Sequence, residues 1–426
     1  MSWLSGLFLL LALLGTPLFV IIAGGALLGF WQAEIDLQIV TIEIFRMAEM
    51  PILVAIPLFT FAGYLLSESE APQRLVRLTQ TWIGWLPGGL PIVSLVTCAL
   101  FTAFTGASGV TIVALGAILA PALMQAGYPE RFNLGLITSS GSLGLLFAPS
   151  VPLILYGVVA QQIGVGTPVS IDDLFIAGIT PGLLMILVLS IWSARQGALR
   201  AQTRQPFELA PALAALRESW LELPLPVIVL GGIYSGLLVV SEAAAVTAIY
   251  VLIVQVLIRR EISISQTIGI ARDSMVLVGA ILVILGVSLA STNYVIDAEL
   301  PTALFEWINE RISSRTSFLL LLIGFLLLLG MLLDVFSAIV IMIPIILPIG
   351  VGYGVDPVHL GILFLAAMQI GYFTPPVGMN LFIASFRFNK PVMTLYRATL
   401  PFFFLLLGCV LLIGLYSPLS LWLLDR

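Results

Sequence analysis

The sequence predicts an all-α polytopic membrane protein, arranged as an inverted repeat with two re-entrant hairpins and two broken helices. Three observations lead there. The 426 residues are 60% hydrophobic and only 9% charged, against roughly 25% charged residues in a soluble domain. Apolar stretches of about 20 residues, the length that a bilayer core demands, recur from end to end. Two parts of the chain are also copies of one another, each with a proline break inside an apolar segment. Pro121, Gly127, Gly135, Pro149 and Val151 of the first match Pro348, Gly354, Gly361, Pro375 and Val377 of the second, with one residue inserted near Tyr128. Paired, proline-interrupted segments in corresponding halves point to a transporter's binding site.

Spans are expected at 4–30, 47–66, 88–105, 108–125, 133–160, 173–195, 222–240, 242–258, 274–291, 316–333, 335–353, 358–385 and 400–424. The first is apolar from Leu7 to Trp31 apart from Thr16 and Pro17. It has no basic residue before it and is too long for the core of a signal peptide, so it reads as a helix that stays. The joints 105–108, 240–242 and 333–335 are too tight for separate crossings, and each can be a hairpin. A hairpin that enters and leaves on one side is tolerated only when buried in protein or lining a cavity.

Orientation follows from the basic residues. Arg195, Arg200, Arg204 and Arg217 lie in the only long polar connection, and Arg259, Arg260 and Arg272 form the next cluster. Both belong on the cytoplasmic side. The 125–132 turn, with Arg131, then falls inside. With 316–353 taken as a re-entrant hairpin, the equivalent 351–357 turn, with Asp356, falls outside. The two copies therefore come out upside down relative to each other. Arg311 and Arg315 on the outer side run against this, although Glu306 and Glu310 lie beside them.

The chemistry is expected at the breaks. In Thr138–Pro152, two prolines three apart with glycines nearby unwind a helix in mid-membrane, because each removes a donor and crowds the carbonyl four residues back. The freed carbonyls suit a cation such as Na⁺, and the hydroxyls of Ser139, Ser142 and Ser150 add oxygen. The start of the second half-helix carries partial positive charge for a substrate carboxylate. Thr374-Pro-Pro-Val-Gly378-Met-Asn380 has the same parts. A kinked helix without a ligand is the alternative. Thr105-Gly-Ala-Ser108 reads as the tip of the first hairpin, or else as a close contact between small residues. Asp334 has about ten apolar residues on each side. A carboxylate there costs about 2.5 kcal/mol or more, so it ligates a cation, titrates, or caps the arm that starts at Val335. Glu242 reads as a first-turn residue of its helix.

Several function classes drop out. The net charge of −5 comes with no basic patch interleaved with aromatics, so the partner is the lipid bilayer and not nucleic acid. With no P-loop and no sizeable soluble domain, energy has to come from an ion gradient or a partner. Cys98 and Cys409 lack metal-ligand spacing. An enzyme is not expected. Gly106-Ala-Ser108-Gly109 superficially matches the serine motif of intramembrane proteases. Its only possible base, however, is His359, read as a helix-surface residue at the membrane edge, and a nucleophilic serine needs its base within hydrogen-bond reach. Nothing resembles a channel's pore ring.

At Gly127–Phe132, Gly141–Tyr156, Glu242–Tyr250, Gly330–Asp334 and Thr374–Phe382, the chain resembles the large membrane subunit of tripartite ATP-independent periplasmic (TRAP) transporters. The resemblance covers essentially the whole length. It departs at the first hairpin tip, where the family often reads close to Ser-Gly-Ser-Ser, and at Ala148-Pro149, where a double proline is common. It implies a multi-pass, elevator-type importer of the ion-transporter superfamily in the bacterial inner membrane. A periplasmic substrate-binding protein would deliver an organic acid, often a C4-dicarboxylate or sialic acid, and a small four-helix membrane subunit would join the large one.

The resemblance also implies two Na⁺ sites, one between the first hairpin tip and the first broken helix, the other between the Asp334 hairpin and Thr374–Asn380. Candidate Na⁺ ligands are Thr105, Gly106, Ala107, Ser108, Ser139, Ser142, Pro149, Ser150, Asp334, Thr374, Pro375 and Gly378. Ser108, Ser150, Val151, Pro376 and Asn380 are substrate candidates, with substrate between the two hairpin tips. The expected division is 1–87 as N-terminal scaffold, 88–160 as the first transport repeat, 161–315 as scaffold and connecting helices, 316–386 as the second repeat and 387–426 as a C-terminal helix. A stand-alone carboxylate transporter or exporter of the same superfamily is the main alternative, and an intramembrane serine protease a remote one.

Overall fold

The computed structural model describes residues 8, 10, 11, 14–86, 88–198 and 207–424. Arg200, Arg204 and the first residues of the first expected span lie outside them. Helices account for most of the described structure, and no strand occurs among these residues. Among the described residues eight helices are long and apolar enough to cross a bilayer, or nine if one bent pair is counted as a span.

The N-terminal region corrects one expectation. The single helix over 4–30 is interrupted by a turn before Pro17, where Gly15 has φ +82°. Proline has no N–H to continue the ladder. Helix α1 therefore starts at Leu18 and runs Leu18–Gln32. It is followed by α2 (Gln38–Ala48), a 3₁₀ turn (Pro51–Val54), α3 (Ala55–Glu68) and α4 (Ala71–Ile83).

The first copy follows. Helices α5 (Gly89–Thr105) and α6 (Ser108–Gln125) are separated by Gly106 and Ala107 alone. Then come α7 (Glu130–Ser140), a 3₁₀ turn (Leu143–Leu146) and α8 (Val151–Ile163), with a 42° bend across the break. In the second copy α16 (Arg315–Leu332) and α17 (Val335–Gly352) are separated by Leu333 and Asp334. The broken pair is α18 (Pro357–Gly371) and α19 (Met379–Phe388). The copies correspond in detail. Gly127 and Gly354 both have positive φ, and the Ala148–Pro149 and Pro375–Pro376 peptides are both cis.

Between the copies lie α9 (Ile171–Ala177), α10 (Ile179–Ala198), α11 (Leu209–Glu218), α12 (Pro224–Tyr234), α13 (Val240–Leu252) and α14 (Ile264–Asp297), then α15 (Leu300–Asn309). The tight joint expected at 240–242 is displaced: the chain turns over 235–239. Glu242 accepts from the Val239 N–H at 3.1 Å, so it closes the first turn of α13. Helices α20 (Val392–Leu415) and α21 (Pro418–Leu421) end the chain.

Two groups of contacts run through these helices, and the groups also touch each other, α3 and α4 on α5 and α14 on α17. The copies interlock, with α8 on α17 and α6 on α19, and within the second copy α16 lies on α18. Helix α18 is buried along its whole length, as an all-round apolar helix must be. The second group packs α3 against α13 and α14, and α14 against α1 and α2. His359 is therefore not a helix-surface residue. It is fully buried where α18 meets α20 and α21, and its Nδ1 lies 2.6 Å from Ser420 Oγ.

One polar knot ties the second group together. Arg74 on α4 is only 4% exposed. Its Nε donates to Glu222 at 2.9 Å, with Nη2 in an ion pair 2.6 Å from the same oxygen, and its Nη1 and Nη2 donate to Glu261 at 2.5 and 3.2 Å. Arg259 reaches the same Glu222 and donates to the Glu218 carbonyl. Burial works against the Arg74 charge, but the hydrogen bonds and charges of Glu261 and Glu222 outweigh it and hold the guanidinium above its ordinary pKa.

Candidate functional site

The two breaks meet at the centre of the interlocked copies. In the first, Ser139 and Thr138 turn their hydroxyls back on their own helix, donating to the carbonyls of Gly135 (2.8 Å) and Leu134 (2.7 Å). Ser142 donates across the copies to the Gln369 carbonyl at 3.1 Å. Ser150 stands at the start of α8, fully buried, and its Oγ has no hydrogen-bond partner. A buried hydroxyl without a partner is costly and marks a place where a further group fits.

The first hairpin tip closes over this break. Thr102 Oγ1 donates to the Gly141 carbonyl at 2.8 Å. Gly106 turns with φ +64°, and a Cβ there would lie 3.0 Å from the Val151 side chain. The start of α8 is thus covered by the hairpin, so Val151 is not free to meet a carboxylate as expected. Thr105 makes only long contacts of 3.5 Å with Ala107.

At the second tip Asp334 is a helix cap. Its Oδ1 accepts from the N–H groups of Phe336 and Ser337, both at 3.0 Å, and its Oδ2 from the Ser337 hydroxyl. The Val335 N–H donates to the Tyr372 hydroxyl, which joins the tip to the second broken helix. The Gly378 N–H donates to the Met331 carbonyl at 3.1 Å, and Thr374 Oγ1 to the Ile370 carbonyl at 2.7 Å. Pro375 and Pro376 are exposed, and the Pro376 carbonyl accepts from Tyr396.

The two copies are stapled by Asn380. Its Oδ1 accepts from Ser108 Oγ at 2.7 Å, and its Nδ2 donates to the Thr138 carbonyl at 3.4 Å. Both ends of this fully buried amide are therefore used within the protein.

Between the hairpin tips lies a cavity of about 640 Å³. Gly106–Gly109 form one wall and Asp334–Phe336 another, with Tyr372 and Met379 from the second broken helix. Tyr64, Ser67 and Glu68 of α3, with Leu277 of α14, close it from the other group of helices. Of the expected substrate residues, Ser108 lines this cavity. Ser150, Val151 and Asn380 are buried and Pro376 is exposed, and none of the four lines it. Tyr64, Glu68, Phe336 and Tyr372 were not anticipated, because nothing local in the sequence distinguishes them. The helix starts that line the cavity are those of α6, α17 and α19, not that of α8.

The family model described as "Tripartite ATP-independent periplasmic transporter, DctM component" matches residues 5–419. The chain belongs to this family. It is 34% identical over 383 residues to the C4-dicarboxylate TRAP transporter large permease protein DctM of Pseudomonas aeruginosa, covering 89% of this chain and 88% of that one. It is 30% identical to the ectoine TRAP transporter large permease protein TeaC of Halomonas elongata, over 97% and 96% of the two chains. The isethionate TRAP transporter permease protein DctMQ of Oleidesulfovibrio alaskensis is 33% identical over 97% of this chain, which spans only 65% of that protein's length.

Among solved structures, the Alcanivorax borkumensis YdaH transporter matches with a TM-score of 0.63 at 17% identity, over 90% of this chain and 88% of that one. That likeness shows the fold. This DctM-family chain is a large TRAP permease, a multi-span protein of the bacterial inner membrane and a transporter component rather than an enzyme. Permeases of this family work with a small membrane subunit and a periplasmic binding protein.

Proposed function

We propose that this permease imports an organic acid, handed over by a periplasmic binding protein and driven by Na⁺, together with a small four-helix membrane subunit. The observation that carries the proposal is the cavity between the two hairpin tips. Each tip is hydrogen-bonded to its own broken helix, so closing a tip and filling the cavity are linked. Relatives named for C4-dicarboxylates, ectoine, isethionate and 2,3-diketo-L-gulonate favour an organic acid without fixing which one.

Two features support Na⁺. Among the described residues no three His, Cys, Asp or Glu side chains converge, so the available donors are hydroxyls, carbonyls and single carboxylates. These are hard oxygens, unsuited to transition metals. The unpartnered Ser150 hydroxyl lies at the first break, Asp334 at the second hairpin tip and Thr374 at the second break.

In this proposal 88–160 and 316–386 move as one body against the other helices, in an elevator motion, with the copies inverted in the membrane. The bonds Ser108–Asn380, Asn380–Thr138 and Ser142–Gln369 favour a single body. Basic residues at Arg74, Arg77, Arg259 and Arg272 favour the α3–α4 and α13–α14 connections lying inside. Since Glu68 ends α3, the cavity then opens towards the cytoplasm.

Uptake by proteoliposomes holding the complete system is expected to fall at least tenfold when K⁺ replaces Na⁺ at constant pH. Uptake unchanged by that replacement would end Na⁺ coupling. Asp334→Asn should keep its melting temperature, because Asn and Asp cap about equally well. It should nevertheless lose most uptake and raise the Na⁺ concentration needed for half-maximal rate. Full activity would reduce Asp334 to a cap.

A further inference from the structure

The wall of the central cavity has an uneven chemistry. It holds the carboxylates of Glu68 and Asp334 and the rings of Tyr64, Phe336 and Tyr372, and no lysine, arginine or histidine among the described residues lines it. Asp334 is engaged by three donors as a cap. Glu68, at the end of α3, is exposed at the cavity.

This combination suits one kind of guest. With Asp334 answered by the proposed Na⁺, Glu68 remains a carboxylate with no side-chain cation lining the cavity beside it. A dicarboxylate would bring two further negative charges to it, and like charges at close range repel. An ammonium, alkylammonium or amidinium group is attracted both by a carboxylate and by aromatic rings, which is how proteins recognise quaternary ammonium ligands.

We infer that the acid carried by this permease also bears a positively charged group, and that Glu68, with the rings of Tyr64, Phe336 and Tyr372, holds that group. The inference rests on the reading of this cavity as the substrate site. The acid end of such a zwitterion faces the first residues of α6, Ser108, Gly109 and Val110, which line the same cavity and carry the partial positive charge of a helix start. Glu68 belongs to the helices outside the two copies, so it acts on the guest in the arrangement described here and sets which acids the cavity accepts.

The full chain in lipid nanodiscs, in sodium chloride, tests this with two probes of similar size, glycine betaine and succinate. Binding is followed by tryptophan fluorescence and by the shift in melting temperature. The wild-type protein is expected to bind glycine betaine about tenfold more tightly than succinate. Glu68→Gln should weaken glycine betaine about tenfold and tighten succinate, and Glu68→Asp, which keeps the charge, should retain the preference. Tighter binding of succinate by the wild type, or a preference that Glu68→Gln leaves unmoved, overturns the role of Glu68 while leaving an acid-binding cavity. If neither probe binds to either variant, the cavity is not the acid site, and the functional reading falls together with this inference.

Discussion

Arg74→Ala is expected to lower the unfolding free energy by about 3–5 kcal/mol, the usual cost of removing one partner of a buried ion pair. Glu222 is only 5% exposed, and without the guanidinium it would keep a buried charge with only the longer 3.4 Å contact to Arg259. The neighbouring pair Arg77–Glu218 is a control of the same chemistry at the surface, with Arg77 60% exposed. Such pairs contribute about 0–1 kcal/mol, so Arg77→Ala should melt close to wild type. Equal melting of the two variants would refute the assignment of Arg74 as the tie between α4, the α11–α12 connection and the α13–α14 turn. The pH dependence has a definite sign. A group held above its ordinary pKa contributes fully below that value and loses its contribution only as the pH rises through the raised one. The Arg74 contribution should therefore be constant through the neutral range and be lost on the alkaline side only in strong alkali.

Gly371→Ala should have the second large effect. A Cβ at Gly371 would lie 2.5 Å from the backbone of Gly330, so two main chains would have to separate. Overpacking of this kind costs about 1–3 kcal/mol. The same crossing of α16 and α18 also sets the Asp334 tip against the second break, so uptake should fall at least tenfold even in protein that remains folded. Gly330→Ala meets its neighbours at 2.9–3.2 Å and should be milder. Gly279→Ala, with nothing within 4 Å, should be neutral or slightly stabilising, since alanine favours a helix over glycine by about 1 kcal/mol. Thermal melting and uptake of the three variants together check the ordering.

The parts of this architecture that are written locally could be read without coordinates. Two prolines three apart at Pro149 and Pro152 break a helix wherever it is packed, and a hairpin tip needs residues like Gly106-Ala107 or a capping Asp334. Short amphipathic helices such as α2, α4 and α15 are less visible, because their apolar faces are brief and mixed with charge. His359 misled for a different reason. Its position after Asp356-Pro357 suggests an exposed edge, but α20 and α21 return from much later in the chain to cover it. The cavity wall is the least legible part. Tyr64 and Glu68 lie four residues apart at the end of an ordinary apolar helix, and only tertiary packing brings them opposite the hairpin tips. In the same way, a broken helix announces a helix start at Val151 but not that Gly106 will lie on top of it.

The staple between Ser108 and Asn380 joins positions 272 residues apart. During synthesis the first hairpin and its broken helix leave the ribosome long before Asn380 exists. The growing chain therefore carries the hydroxyl of Ser108 and the carbonyl of Thr138 through the membrane without their eventual partner, and the nascent first copy stays unfinished until translation is nearly complete.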